Sequence, residues 1–133
     1  MTKSLPLLWA VLLVGCAGRV GDVDAIVAGE AQKLRSVEIG MTISQVESLM
    51  GAAPLVFNAG SDVETSCSRP ARVDKFRSKD GKAVSIFYYR SSTKRRDFLT
   101  TDDETTAVVF VDGKVDALLP GEKSKEVIEV RFR

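Results

Sequence analysis

Residues 83–90, Ala-Val-Ser-Ile-Phe-Tyr-Tyr-Arg, constrain the fold more than any other stretch of the chain. In an extended strand, Val84, Ile86 and Tyr88 point one way and Phe87 and Tyr89 the other. A strand apolar on both faces belongs in the middle of a sheet, with helices on one side and something else covering the other. The flanking sequence reads as hairpins. Lys79-Asp80-Gly81-Lys82 is a turn carrying the Asp-Gly signal. Before it, Val73, Lys75 and Arg77 alternate with Asp74, Phe76 and Ser78. Residues 107–111 form a strand, Asp112-Gly113 a tight turn and 114–119 the return strand, which Pro120-Gly121 breaks. Ile128, Val130 and Phe132 alternate with Glu129 and Arg131, which predicts a last strand on a sheet edge. Residues 55–71 are punctuated by Asn58, Gly60, Ser61, Ser66, Ser68 and Pro70, and are expected to be irregular.

Two helices precede the strands. Asp22 is a plausible N-cap for a helix over 22–36, with Val23, Ile26, Val27, Ala31 and Leu34 on its apolar face. The second helix, over 43–50, has both ends written in the sequence. Thr42 and Gln45 form a capping box, and Met41 and Val46 occupy the positions of a hydrophobic staple. Gly51 stands where a left-handed terminal residue belongs, and Pro54 prevents continuation. Its buried face is Ile43, Val46, Leu49 and Met50. The fold class expected is α+β, two N-terminal helices on one face of a small antiparallel sheet of three to five hairpin-connected strands.

The N-terminus carries one basic residue, Lys3, and a short apolar run from Leu5 to Val14, closed by Leu13-Val14-Gly15-Cys16. This is a signal-peptide layout, with an apolar stretch below the roughly 20 residues that span a bilayer. A cysteine directly after small residues resembles a bacterial lipobox. On that reading residues 1–15 are removed, Cys16 is lipidated with fatty acyl chains such as palmitate, 16–21 form a short tether, and 22–133 form one domain. Several acyl chains hold a protein firmly at a membrane, where one would not. Ala17 after the cysteine points to the outer membrane, with the domain facing the periplasm. With Cys16 lipidated, Cys67 is left without an internal disulfide partner.

Charge is nearly balanced, 19 Lys+Arg against 18 Asp+Glu, which argues against nucleic acid as a partner. The absence of histidine removes the commonest general base and zinc ligand. No Gly-x-Ser-x-Gly nucleophile motif occurs, and no catalytic role, cofactor, metal or small-molecule substrate is expected. The long polar connection over 91–106 carries a basic triplet, Lys94, Arg95 and Arg96, and an acidic one, Asp102, Asp103 and Glu104. It reads either as a solvated loop with local charge pairing or as a partner-docking loop. Its spacing does not fit an EF-hand calcium loop.

The lipobox, the phrase built on Gly40, Met41, Thr42, Gln45, Val46, Leu49, Gly51 and Pro54, the strand Phe87-Tyr88-Tyr89-Arg90 and the hairpin over 109–115 together resemble the SmpA/OmlA (BamE-like) family of small outer-membrane lipoproteins. The resemblance spans roughly residues 36–119, with one extra residue before the proline and apparent additions at 91–106 and after Pro120. It implies a non-catalytic accessory factor in outer-membrane protein assembly or envelope integrity, acting by contact with an envelope protein. The alternative is a membrane-tethered module that binds or inhibits a soluble periplasmic protein.

Overall fold

The computed structural model describes residues 23–58, 64–94 and 100–133. Helices α1 (Val23–Leu34) and α2 (Ile43–Met50) lead into a two-stranded hairpin, β1 (Leu55–Asn58) with β2 (Glu64–Cys67). A four-stranded antiparallel meander follows in the order β3 (Arg72–Arg77), β4 (Ala83–Arg90), β5 (Thr105–Val111), β6 (Lys114–Pro120), and helix α3 (Lys123–Arg131) ends the chain. The fold is α+β, with β4 and β5 the inner strands, as the two-faced apolar pattern of 83–90 requires.

Each face of the meander has its own core. On one face Phe87, Tyr89, Val108, Phe110 and Val115 pack against Leu34 of α1 and Val46 and Met50 of α2. Phe87 and Phe110 meet edge-on with ring centroids 4.9 Å apart. On the other face Val84, Ile86, Tyr88, Ala107, Val109 and Ala117 are covered by Ile128 and Phe132. The first half of α1 has a third partner: Val23 and Val27 bury Phe57 of the β1–β2 hairpin.

Two sequence expectations are corrected. Residues 55–71 are not irregular throughout: Leu55–Asn58 and Glu64–Cys67 pair antiparallel, because burying Phe57 against α1 holds a short strand between the turn residues. The alternation of Ile128, Val130 and Phe132 does not make a strand. Ile128 and Phe132 are also four apart, the spacing of one helix face, and Val130 is left 85% exposed. The second face of the sheet needs a cover, and a helix rich in Lys and Glu supplies one.

Helix α2 ends where the sequence places its ends. Thr42 Oγ1 accepts from the Gln45 N–H at 3.2 Å, and Gln45 Oε1 accepts from the Thr42 N–H at 2.8 Å. Gly51 adopts φ 94°, ψ 156°, a region essentially restricted to glycine. A Cβ there would lie 2.6 Å from Arg69 Nη1. The cap also joins the sheet. Gly40 N–H donates to Val115 O at 2.9 Å, Val115 N–H donates to Met41 O at 2.8 Å, and Thr42 bridges Lys114. Residues 40–42 therefore cover the start of the outer edge of β6.

Candidate functional site

The connection between β4 and β5 is closed by one buried carboxylate. Arg90, at the end of β4, and Glu104, just before β5, have side chains 2% and 0% exposed and meet at 3.2 Å. Glu104 Oε2 also accepts from the Lys94 N–H at 2.8 Å, and Oε1 accepts from the Thr101 N–H at 3.2 Å and the Thr101 hydroxyl at 2.9 Å. Its carbonyl takes the N–H groups of Ser91 and Ser92. Thr101 and Glu104 form a second capping box, on the 3-10 turn Asp102–Glu104. The acidic triplet is thus divided. Glu104 is turned inward and offers no surface to a partner, Asp103 bonds the Thr101 hydroxyl, and Asp102 faces outward. Lys94 is exposed, while Arg95 and Arg96 lie outside the described residues.

Asp102 belongs to a cluster at the mouth of a cleft of about 330 Å³, lined by Cys67, Ser68, Arg72, Tyr88, Thr100 and Asp102. Arg72 lies over the Tyr88 ring at 4.0 Å, bonds Asp102 at 3.1 Å and sits 3.6 Å from Asp74. Lys125 of α3 meets Asp102 at 2.6 Å, and the Tyr88 hydroxyl donates to Asp74 at 3.2 Å. The hydrogen bond from Lys125, helped by Arg72, holds the Asp102 carboxyl below its usual range. Two cations balance two carboxylates, so the cleft mouth is polar without net charge. Burial pushes the Cys67 thiol up, against the pull of Arg90, so at neutral pH it is protonated and a poor nucleophile.

A second buried polar group joins α1, α2 and the segment entering β3. Glu30, 3% exposed, meets Arg69 at 3.1 Å and Lys33 at 3.5 Å, and Arg69 also donates to Met50 O at 2.8 Å. Among the described residues, Glu30 Oε2 and Arg69 Nε find no hydrogen bond. Burial raises the Glu30 pKa despite both cations, and burial, together with the charges of Glu47 and Glu30, pushes Tyr89 up to about 12.

A family described as protein of unknown function (DUF3192) matches residues 24–125, most of the chain. The chain belongs to that family. No curated protein and no solved structure matches it. The DUF3192 match begins in α1 and ends in α3 at Lys125, so it contains both capping boxes, both buried ion pairs and the cleft. Among the described residues of this DUF3192 protein, no three His, Cys, Asp or Glu side chains are grouped to hold a metal. Of the residues singled out in the sequence, Gly40, Met41, Thr42, Gln45, Val46, Leu49 and Gly51 come together as the α2 cap and its packing on the sheet, and Pro54 is exposed just before β1. Cys16 lies outside the described residues. Sequence reasoning missed Arg69, whose role depends on contacts far along the chain. It also missed the inward turn of Glu104, although Thr101-Asp102-Asp103-Glu104 carries the Thr-x-x-Glu capping signature.

Proposed function

We propose that this DUF3192 protein is a non-catalytic lipoprotein of the outer membrane that works by protein–protein contact, as an accessory factor in outer-membrane protein assembly or envelope integrity. The observation that carries the reading is the lipobox Leu13-Val14-Gly15-Cys16 ahead of a chain that resembles the SmpA/OmlA family from 36 to 119. The α+β layer supports it, since the phrase carrying the resemblance is the one that fastens α2 to β6. Fold alone does not fix function, so the site must supply the rest. The polar chemistry of the cleft is taken up in internal ion pairs, which suits a contact surface better than a reaction centre.

A second reading, a tethered module that binds a soluble periplasmic protein, draws on a groove of about 610 Å³ between α1 and the end of β6. Leu34 and Leu118 give it an apolar floor, and Arg35 and Lys94 contribute cations. Affinity capture of the natively lipidated protein from gently solubilised envelopes, read by mass spectrometry, separates the two. Recovery of barrel-assembly subunits is the expected result. Recovery of one soluble periplasmic protein without them would favour the second reading.

A further inference from the structure

The two edges of the four-stranded sheet are treated differently. The outer edge of β6 is covered at its start by residues 40–42, whereas among the described residues nothing pairs with the outer edge of β3. The register shows which groups that edge presents. Ser78 N–H donates to Lys82 O, and Asp112 N–H donates to Ala83 O, so Ala83 faces β5 and Val84, Ile86 and Tyr88 face β3. The partners of those three, Phe76, Asp74 and Arg72, spend their backbone groups on β4. The N–H and C=O groups of Val73, Lys75 and Arg77 therefore point away from the sheet.

Exposed cations outnumber carboxylates beside this edge, and Asp74, on the other face of β3, is held by Arg72 and Tyr88. Lys75, Arg77, Lys79 and Lys82 are all exposed, and Asp80 is the one carboxylate among residues 75–82. The ion pairs on and beside β3 use other cations, Arg72 with Asp74, and Arg133, which lies over the Phe76 ring, with Glu129. Val73, on the same face of the strand as Lys75 and Arg77, is 43% exposed. Cations on an edge discourage pairing with a like strand. A second copy centred on Lys75 would set Lys75 against Lys75, and one centred on Phe76 would set Lys75 against Arg77, both repulsive. An acidic strand meets the opposite condition: main-chain bonds to the edge supply affinity, and the cations select carboxylates.

We propose that the outer edge of β3 is a docking site for an extended acidic segment of a partner protein, which adds to the sheet as a fifth strand beside Val73, Lys75 and Arg77. This deepens the contact reading by naming the partner's chemistry, and it stands whether or not Cys16 carries lipid. A run of cations on a surface could equally meet anionic headgroups. Their placement along an unpaired strand edge favours the peptide.

The test uses full-length protein in detergent micelles and a blocked heptapeptide, Thr-Glu-Val-Glu-Val-Glu-Thr, followed by amide exchange and chemical shifts. The peptide is expected to slow exchange at Val73, Lys75 and Arg77. Lys75→Glu with Arg77→Glu is expected to weaken binding about tenfold. The same peptide N-methylated at alternate amides should bind far more weakly. The proposal is overturned if the peptide leaves those three amides unprotected, if the N-methylated peptide binds as tightly, or if only phosphatidylglycerol vesicles bind with the same residue dependence. Because the assay needs no envelope partner, its failure is distinct from failure to recover assembly subunits.

Discussion

Removing Glu104 would strand a charge. Its two oxygens hold Arg90, the Lys94 N–H and Thr101 in a place with no solvent exposure. Breaking one side of such a buried pair costs about 3–5 kcal/mol. Glu104→Ala is therefore expected to lower the urea midpoint sharply, while exposed Ser44→Ala leaves it nearly unchanged. Equal midpoints for the two variants would show that the pair is solvated. Glu30 acts with the opposite sign from an ordinary paired carboxylate. Its folded pKa lies above its ordinary 4.5, so between those two values the native state binds more protons than the unfolded one, and stability falls as pH rises through that window. Asp102, held below its ordinary 3.8, adds stability at neutral pH that is lost as pH falls below that value. Melts across this range should show Glu30→Gln abolishing the gain on mild acidification and Asp102→Asn abolishing part of the loss in strong acid. Unchanged pH profiles in both variants would refute the assignment.

Among the elements, α2 was the most legible, because its signals are local. Thr42, Gln45 and Gly51 act within one turn of their own backbone, so a single stretch of sequence specifies both ends. Thr42→Ala is expected to cost about 0.5–2 kcal/mol from the lost cap, and a melting curve matching the parent's would mean the cap is idle. The Asp112-Gly113 turn was legible for the same reason, with φ of 49° and 84° at its two residues, the pattern of a tight hairpin turn that matches strand twist. Helix α3 was not. Its sequence fits both periods at Ile128 and Phe132, and what decides between them is the uncovered sheet face formed by Val84, Ile86, Val109 and Ala117, residues remote in sequence. The β1–β2 hairpin was hidden in the same way, since Phe57 is paired by α1 and not by its neighbours. The local part of the candidate site, the Thr101–Glu104 cap, could have been read. The bonds from Arg69 to Met50 and Glu30 and the alignment of Arg72, Asp102 and Lys125 could not, because each set joins three separate parts of the chain.

At the scale of the whole molecule, the lipoprotein function proposed above makes the N-terminal segment an address for the folded domain. Cys16→Ser is expected to leave the thermal melt of the domain unchanged while moving the protein from the membrane to the soluble fraction. Retention in the membrane fraction would sink the lipidation reading. The closure of 94 and 101 on one carboxylate has a further bearing on how this domain can change. A connection whose two ends are already held together adds little entropy cost when it lengthens, roughly 0.6 kcal/mol for each doubling. An insertion between Lys94 and Thr101 is therefore expected to leave the four-stranded sheet in place at little cost in stability, which the urea midpoint of a variant lengthened there would check.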